Sequence, residues 1–380
     1  MNPWVESVNT KMAGHKRFMQ RALDLARRGE GRTGPNPPVG AILVKDGQIV
    51  GEGFHPRAGD PHAEIFALRH AGGAARGSDL YVTLEPCSHR GRTGPCAEAL
   101  LDAGIRRAFI GTQDPNPLVQ GRGMSLLRKG EIPVESGLLE AECRRLIAPF
   151  AKHVTTGLPY VILKSAVTLD GHTATSAGDS QWISGDDSRT LVHRLRDRVD
   201  AIMVGIGTVL HDDPRLTTRL PEGGKDPLRV VVDGRLEIPE EALVLRGDSA
   251  ASTLVATTAR ASRDKVERLR ALGAEVLLLG EDEGRVDLSE LMGCLGQRGI
   301  QSLLLEGGGR LNAAAIREGL VDRMMVFVAP LLLGGNDGQG IFSGCGVRRL
   351  ADALRLDDVR ITSVGVDTLI EGEVKGCSPV

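Results

Sequence analysis

Aromatic residues are scarce in this chain. Phe, Trp and Tyr together make up 3% of the 380 residues, with two Trp and two Tyr. Proteins that bind single-stranded nucleic acid usually stack the bases on aromatic side chains. Lys and Arg number 47 against 49 Asp and Glu, so the formal net charge is −2, and no basic surface for a polyanion is indicated. The composition therefore favours a small-molecule ligand and no nucleic-acid partner.

Long hydrophobic runs are also missing. The longest one, residues 324–333, is interrupted by Pro330 and is shorter than the roughly 20 apolar residues that span a bilayer. Residues 1–14 contain no sustained apolar core, so we expect neither a signal peptide nor a membrane anchor. These features predict a cytoplasmic protein with no membrane partner.

Cysteine is too infrequent to indicate a disulfide framework in a chain of this length without a secretory signal. Helical patterns around Cys143 and Cys294 predict core positions for them, whereas the pattern around Cys345 and Cys377 predicts no role. The six cysteines are Cys87, Cys96, Cys143, Cys294, Cys345 and Cys377. Only the first two lie near other residues that could bind a metal.

Three residues with metal-binding side chains occur in one stretch, His62 followed by Cys87 and Cys96. One nitrogen and two sulfur ligands are typical of a catalytic zinc ion, which keeps its fourth position for water. Glu64 is the expected proton carrier, because His-x-Glu followed by Pro-Cys is the signature of zinc deaminases. In such enzymes the metal activates water and the glutamate transfers protons. The motif therefore predicts a hydrolytic deaminase site.

Two structural interpretations of this motif stay open at the level of sequence. A fourth ligand such as His55 or His89 would close the metal sphere and make the zinc purely structural. Without a metal, Cys87 and Cys96 would be ordinary buried thiols, which pack as small hydrophobic residues. Neither interpretation gives Glu64 a task, so the catalytic one is favoured.

Helix and strand patterns alternate in both halves of the chain, which predicts two α/β domains. In the first half we expect a helix over residues 15–28 and a hairpin that turns at Asp46-Gly47. A helix capped by Asp60 should then carry His62 in its first turn. Strands are expected at 79–84 and 106–112, in a three-layer α/β/α domain. A short linker at residues 155–159 divides the chain into domains 1–156 and 157–380.

The second half is expected to contain a largely parallel sheet. Its Glu306-Gly307-Gly308-Gly309 turn lies between a predicted strand and a helix, where backbone N–H groups can approach a phosphate. The turn at Gly205-Ile206-Gly207 lacks the third glycine of a Rossmann fingerprint, so that fold is not predicted. The predicted strands are residues 160–167, 201–204, 228–233, 253–256, 275–279, 302–305 and 324–328.

The loop between the two cysteines distinguishes this chain from nucleoside and nucleic-acid deaminases, which place two residues there. Here eight residues intervene, and the segment Cys87-Ser88-His89-Arg90-Gly91-Arg92-Thr93-Gly94-Pro95-Cys96 closely resembles the deaminase domain of the bifunctional riboflavin-biosynthesis enzymes. The second half resembles the reductase domain of the same family in Leu163-Lys164, Leu169-Asp170-Gly171, Ser180-Gln181-Trp182-Ile183, Asp212-Asp213-Pro214 and Glu306-Gly307-Gly308. The resemblance implies a cytidine-deaminase-like domain followed by a dihydrofolate-reductase-like domain.

The resemblance also implies roles for individual residues. His62, Cys87 and Cys96 would bind one Zn²⁺, with Glu64 catalytic. Lys164, Asp212 and Glu306 would surround the sugar carbonyl that is reduced. NADPH would be bound by Ala166, Trp182, Thr208, Asp212, Gly234, Gly308, Gly309, Arg310, Leu311 and Asn312. Substrate would be bound by Asn36, His55, Arg92, Ser180, Arg196, Leu216, Arg219 and Glu306, with Arg196 and Arg219 forming a phosphate fork.

Several of these residues have structural alternatives. Asn36 between prolines suits a turn, Arg92 and Arg196 could be solvated charges, Lys164 could reach a surface carboxylate, and Asp212 could cap a turn. The sequence alone does not decide between these alternatives and the functional roles.

The implied activity is deamination of 2,5-diamino-6-ribosylamino-4(3H)-pyrimidinone 5′-phosphate, followed by NADPH-dependent reduction of the ribosyl chain to a ribityl chain. The partners are then small phosphorylated pyrimidines, and the sequence is compatible with a homo-oligomer. Two alternatives remain. One is a nucleic-acid or nucleoside zinc deaminase with a C-terminal binding module, and the other is a zinc-stabilised scaffold without activity.

Overall fold

The computed structural model describes residues 3–88, 94–117, 119–246 and 249–375, with side chains from residue 13 onward. The chain forms two compact units, Met1–Thr156 and Gly157–Val380. Over the described ranges, no helix is both long enough and apolar enough to cross a membrane.

The N-terminal unit is built on a mixed sheet with the strand order β2-β1-β3-β4-β5, as far as the described residues show. Strands β2, β1 and β3 are antiparallel, whereas β3, β4 and β5 are parallel. The strands are β1 Gly40–Lys45, β2 Gln48–Phe54, β3 Asp79–Leu84, β4 Arg107–Thr112 and β5 Val134–Ser136. The helices are α1 Pro3–Ala26, α2 Ala63–Ala71, α3 Cys96–Ala103, α4 Arg122–Lys129 and α5 Glu140–Thr156.

Side chains of each strand alternate between two apolar layers. Leu43 and Leu80 pack on the side that carries α2, α3 and α4. Their neighbours Ile42 and Tyr81 pack on the opposite side, with Leu23 of α1. Since successive strand residues point to opposite faces of a sheet, both faces are covered. The three-layer α/β/α arrangement predicted from the sequence is therefore confirmed.

Most elements of this unit lie where the sequence predicts them. The hairpin turn has positive φ at both Asp46 (50°) and Gly47 (78°), as a type I′ turn requires. Two helix starts were predicted wrongly. Helix α1 begins at Pro3 instead of residue 15. Helix α2 begins at Ala63 with His62 at its N-cap, because Pro61 and the residues before it stay outside the helix.

The C-terminal unit contains a second mixed sheet, with the order β10-β9-β8-β7-β13-β6-β14-β16-β15 over the described residues. The strands are β6 Tyr160–Thr168, β7 Ala201–Gly205, β8 Leu228–Val232, β9 Thr253–Thr257, β10 Glu275–Leu278, β11 Glu281–Asp282, β12 Arg285–Val286, β13 Ser302–Leu305, β14 Arg323–Ala329, β15 Leu356–Val364 and β16 Asp367–Val374. The helices are α6 Asp186–Arg198, α7 Ile206–Asp212, α8 Leu243–Arg246, α9 Arg263–Ala271, α10 Leu288–Gln297 and α11 Gly309–Arg317.

The run from β10 to β14 is parallel, and the final hairpin of β15 and β16 joins β14 antiparallel. Every strand predicted in this half is present, but the hairpin of β15 and β16 was missed, as was the short pair β11 and β12. Strand β15 is mostly exposed and therefore lacks the apolar alternation that marks a half-buried strand. The predicted linker at residues 155–159 is shorter in the structure, because α5 continues through Thr156.

The chain order places a crevice at the carboxyl ends of the parallel strands. Strand β13 is inserted between β6 and β7, so the helices α7 and α11 both begin where neighbouring central strands end. Ligands of open α/β sheets bind at such a position. The C-terminal unit therefore has a preformed location for a ligand.

Candidate active sites

The fold brings the three expected metal ligands together. His62 lies directly before α2, Cys87 follows β3, and Cys96 is the first residue of α3. His62 Nδ1 lies 3.2 Å from Cys96 Sγ and 3.5 Å from Cys87 Sγ. Tetrahedral zinc with bonds of about 2.3 Å to sulfur and about 2.0 Å to nitrogen separates such atoms by about 3.5 Å. The observed spacing therefore fits zinc.

A fourth protein ligand is not found among the described residues, where the potential ligand cluster consists of His62, Cys87 and Cys96. His55, one candidate for closing the sphere, is engaged elsewhere, because its Nδ1 lies 3.1 Å from the Pro61 carbonyl oxygen. The other candidate, His89, lies outside the described residues. The geometry therefore favours an open, catalytic site.

The two thiols are held by backbone as well as by each other. The N–H of Cys96 donates to Cys87 Sγ over 3.3 Å, and the N–H of Ala97 donates to the Cys87 carbonyl oxygen over 3.2 Å. The hydrogen bond with Cys96, followed by that with His62, lowers the pKa of Cys87. The Cys87 sulfur therefore accepts an N–H group from the start of α3, and a thiolate is the form of cysteine that binds a metal.

Glu64 is buried in the first turn of α2, with 3% of its surface exposed. Burial, followed by the charge of Cys87, raises the pKa of Glu64 to about 7. Helix α2 is held close to β2, since a Cβ on Gly53 would collide with the Ala63 carbonyl oxygen. The carboxyl group is therefore fixed beside the ligand cluster, as a proton carrier needs to be.

Asn36 and His55 lie next to the metal ligands. Asn36 Nδ2 lies 3.0 Å from His55 Nε2, and the His55 and His62 rings are 5.3 Å apart. Burial lowers the pKa of His55, so the ring is neutral. Because the Pro61 carbonyl can only accept, His55 Nδ1 donates to it and Nε2 accepts from Asn36. The predicted substrate residue Arg92 lies outside the described residues.

The C-terminal unit contains a cavity of about 1740 Å³ at the carboxyl ends of its parallel strands. It is lined by all the predicted reductase residues except Leu216, which is buried. The predicted residues in the lining are Lys164, Ala166, Ser180, Trp182, Arg196, Thr208, Asp212, Arg219, Gly234, Glu306, Gly308, Gly309, Arg310, Leu311 and Asn312. A site of this size can hold a dinucleotide together with a second ligand.

A buried ion pair lies at one end of this cavity. Arg196 donates from Nε and Nη2 to the two carboxylate oxygens of Glu306 over 2.9 and 3.0 Å, and from Nη1 to the Thr217 carbonyl over 3.1 Å. Lys164 Nζ lies 4.0 Å from Glu306. The guanidinium of Arg196 is thus directed at Glu306, which differs from the expected phosphate fork with Arg219.

The charges of this cluster follow from its burial. Desolvation opposes ionisation of Glu306, but Arg196 and then Lys164 outweigh it and lower its pKa to about 2. Burial lowers the pKa of Lys164. Asp212 lines the same cavity, and partial desolvation raises its pKa. Lys164, Asp212 and Glu306 all line this cavity, and within the described residues no ion pair or hydrogen bond joins Asp212 to either of the other two.

His193 belongs to this cluster but was missed by the sequence analysis. Its Nδ1 accepts from the N–H of Arg219 over 3.3 Å. Burial, followed by the charges of Arg196 and Arg219, lowers the pKa of His193 to about 4. The sequence contained one signal for including His193 in the site. His193 is three residues before Arg196 on α6, a spacing that puts both side chains on one face of the helix.

The glycine-rich turn Gly307-Gly308-Gly309 connects β13 to the start of α11 and lines the cavity of the C-terminal unit, and we call it the α11 cradle. Gly308 is the N-cap of α11, and a Cβ on it would come within 3.9 Å of Thr208 Oγ1. Asn312 in the first turns of α11 donates to the Ile341 carbonyl over 3.1 Å, while its buried Oδ1 has no partner among the described residues. Backbone N–H groups at a helix start and an unsatisfied buried oxygen fit a dinucleotide.

Comparison with known proteins finds a matching family profile for each of the two units. The profile of the cytidine and deoxycytidylate deaminase zinc-binding region matches residues 12–112, and that of the RibD C-terminal domain matches residues 159–370. The riboflavin biosynthesis protein RibD of Bacillus amyloliquefaciens is 45% identical over 350 residues, covering 92% of this chain and 94% of the relative. That of Escherichia coli K12 is 42% identical over 365 residues, covering 93% and 97%.

Two solved structures are similar to this chain along most of its length. RibD of Acinetobacter baumannii is 39% identical with a TM-score of 0.82, covering 96% of this chain and 99% of that one. The diaminohydroxyphosphoribosylaminopyrimidine deaminase/5-amino-6-(5-phosphoribosylamino)uracil reductase of Thermotoga maritima is 36% identical with a TM-score of 0.81, at the same coverage. The family resemblance and fold class expected from the sequence are therefore confirmed, and the chain belongs to the RibD family of bifunctional deaminase/reductases of riboflavin biosynthesis.

Proposed function

We propose that this chain carries out two consecutive reactions on one phosphorylated pyrimidine. Residues 1–156 would remove an amino group from the diaminohydroxyphosphoribosylaminopyrimidine, and residues 157–380 would reduce the resulting 5-amino-6-(5-phosphoribosylamino)uracil with NADPH. The substrates are those in the name of the Thermotoga maritima relative. The observation that carries the proposal is the presence of two sites, the open ligand cluster with Glu64 and the cavity with Lys164 and Glu306.

In the deaminase reaction, water adds to the carbon that bears the amino group, and ammonia leaves. His62, Cys87 and Cys96 would hold a zinc ion, which supplies the activation of water. Glu64 would accept a proton from this water and deliver it to the departing nitrogen, a task suited to a carboxyl group with a pKa near neutrality. Asn36, whose amide is oriented by His55, would hold the pyrimidine.

In the reductase reaction, a C–H bond forms at the anomeric carbon of the ribose, its bond to the ring oxygen breaks, and that oxygen takes up a proton. The start of α11 would hold NADPH, which would supply the hydride. Lys164 would supply the proton, since burial favours loss of its charge. Glu306 would keep Lys164 directed at the sugar, and Arg219, whose fork is not directed at Glu306, would bind the substrate phosphate.

The test is to add only the diaminopyrimidine ribosyl phosphate to purified, zinc-loaded protein together with NADPH. Ammonia release followed by NADPH oxidation is the expected result. Ammonia release without NADPH oxidation would refute the assignment of the second unit. The nucleic-acid alternative predicts binding that strengthens at low salt, and a flat RNA titration at low salt would dismiss it.

We further propose that the protein is a cytoplasmic homo-oligomer without a nucleic-acid partner. The terminal hairpin supports self-association, because the edge strand β15 and its turn expose Val359, Ile361 and Val366, at 51%, 70% and 73% of their surface. Exposed apolar edges of this kind pair readily with another chain. Sedimentation at micromolar concentration should show more than one chain per particle, and Ile361→Lys should reduce that number.

A further inference from the structure

Glu85 is a buried carboxylate that the proposed mechanism does not use. It follows β3, lies two residues before the ligand Cys87, and exposes 3% of its surface. It accepts three backbone hydrogen bonds, from the N–H groups of Asp114 over 3.2 Å, Gly121 over 3.0 Å and Met124 over 3.0 Å. Three donors directed at one carboxylate constitute a built site for this side chain.

Two of the three bonds join Glu85 to the start of α4, and the third joins it to Asp114, shortly after β4. Gly121 is the N-cap of that helix and has no side chain of its own to cap it. Oε1 of Glu85 binds Met124, in the first turn of the helix, and Oε2 binds both Gly121 and Asp114. A negative charge at this position also interacts favourably with the helix dipole. Glu85 therefore caps α4 from a different element of the fold.

A second contact joins the same two segments independently of charge. Gly123, in the first turn of α4, packs against the backbone of Pro86 so closely that a Cβ on it would collide with the Pro86 carbonyl oxygen. The turn that carries Cys87 is thus in direct contact with α4 on one side. On its other side it is bonded to α3 through Cys96 and Ala97.

We propose that Glu85 is a positioning residue of the deaminase, which acts through Cys87. By fixing residues 85–87 against α4, it holds the Cys87 thiolate at its distance from His62 and Cys96. The inference rests on the proposed metal site. It adds a residue that does not bind the metal but holds one of the metal ligands in position. Ligand geometry is sensitive to such outer contacts, which orient the ligands of metal sites.

The chemistry of the site makes Glu85→Gln a sharp probe. Gln has nearly the same shape, but one of its two terminal groups is an NH₂ donor, which would face backbone N–H donors instead of accepting from them. A role in filling space would therefore be retained by Gln, whereas Gln could not accept all three N–H groups, because only one of its terminal groups is an acceptor. Glu135→Gln is the matched control, since Glu135 lies on β5 of the same unit and its side chain is 62% exposed.

The experiment replaces zinc with Co²⁺ and records the absorption bands that report thiolate ligation and tetrahedral geometry. For Glu85→Gln we expect altered bands and a deaminase kcat that falls at least about tenfold, because misplacement of reacting groups by about 1 Å costs on the order of a hundredfold. KM should stay within about threefold, since Glu85 is not proposed to touch substrate. Glu135→Gln should match the wild type.

Other outcomes have distinct meanings. A wild-type cobalt spectrum and a wild-type kcat in Glu85→Gln would overturn the proposal, even if the melting temperature fell. Failure of the wild-type protein itself to release ammonia would refute the proposed function instead. The reductase rate on already deaminated substrate should be unchanged in every variant, which verifies that the C-terminal unit is folded.

Two further variants address misfolding of Glu85→Gln. Gly123→Ala keeps the carboxylate but pushes Pro86 away, so it should alter the cobalt bands and lower kcat in the same direction. Glu85→Asp keeps the charge but shortens its reach, and we expect an intermediate effect. If Gly123→Ala and Glu85→Asp both showed wild-type cobalt bands and a wild-type kcat, the positioning role of Glu85 would also be contradicted.

Discussion

Replacement of Arg196 by Met tests how the reductase cavity tolerates its buried charges. Arg196 and Glu306 expose only 12% and 13% of their side chains and are joined by two hydrogen bonds of 2.9 and 3.0 Å. Methionine fills similar space but donates no hydrogen bond. The carboxylate of Glu306 is then left with Lys164, whose Nζ lies 4.0 Å away.

Two independent routes give the size of the effect. The pKa of Glu306 is lowered from an ordinary 4.5 to about 2, which corresponds to about 3 kcal/mol of stability at neutral pH. Measurements on buried ion pairs show a loss of about 3 to 5 kcal/mol when one partner is removed. We therefore expect Arg196→Met to lower the free energy of unfolding of the C-terminal unit by about 3 kcal/mol at pH 7.

The pH dependence has a definite sign. Because the pKa of Glu306 is depressed in the folded protein, its stabilisation is fully present above about pH 4.5 and is lost as the pH falls towards about 2. The difference between the wild type and Arg196→Met should therefore shrink over that interval. A difference that stays constant down to pH 3 would contradict the proposed cause.

Urea unfolding followed by Trp182 fluorescence, in a Trp4→Phe background, measures this quantity for the C-terminal unit. The control is Arg298→Met in the same unit, which removes an ion pair to Glu275 with 35% and 50% of the side chains exposed. Exposed pairs contribute less than about 1 kcal/mol. The reasoning is refuted if Arg196→Met costs no more than this control.

Three further predictions concern single sites. Glu64→Ala should retain one zinc per chain by metal analysis but release no ammonia, while reduction of the deaminated substrate persists; loss of both activities in folded protein would contradict two separate sites. Gly309→Ala should weaken NADPH binding at least about tenfold by fluorescence titration, since its Cβ would collide with Ser343; unchanged affinity would argue against the cradle. Asn36→Ala should raise the deaminase KM, with reductase KM unaffected as its control.

Much of the fold could be predicted from local patterns. Strand β3 lies at the predicted residues, and the Asp46-Gly47 turn has the predicted conformation, because both are determined by neighbouring residues. The hairpin of β15 and β16 was missed because β15 is the edge strand of the sheet, where most of its side chains remain exposed. The start of α2 was misplaced because proline at a first helical position is only a tendency.

The sites were predicted unequally. The metal ligands His62, Cys87 and Cys96 carry their chemistry in their residue types and spacing, and the structure brings them together. The arrangement around Glu306 was not predictable in the same way. Its partner Arg196 is 110 residues distant in sequence, and no local pattern shows which charges become buried together.

The sequence by itself determined the family, the α/β class and the donor atoms available to a metal, since these depend on residue identity and short-range order. Only the tertiary structure decided how those groups are paired. It directs Arg196 at Glu306 and places the Glu85 carboxylate against the start of α4. Such pairings depend on which strand ends and helix starts meet at one edge of a sheet, and this is set by packing along the whole chain.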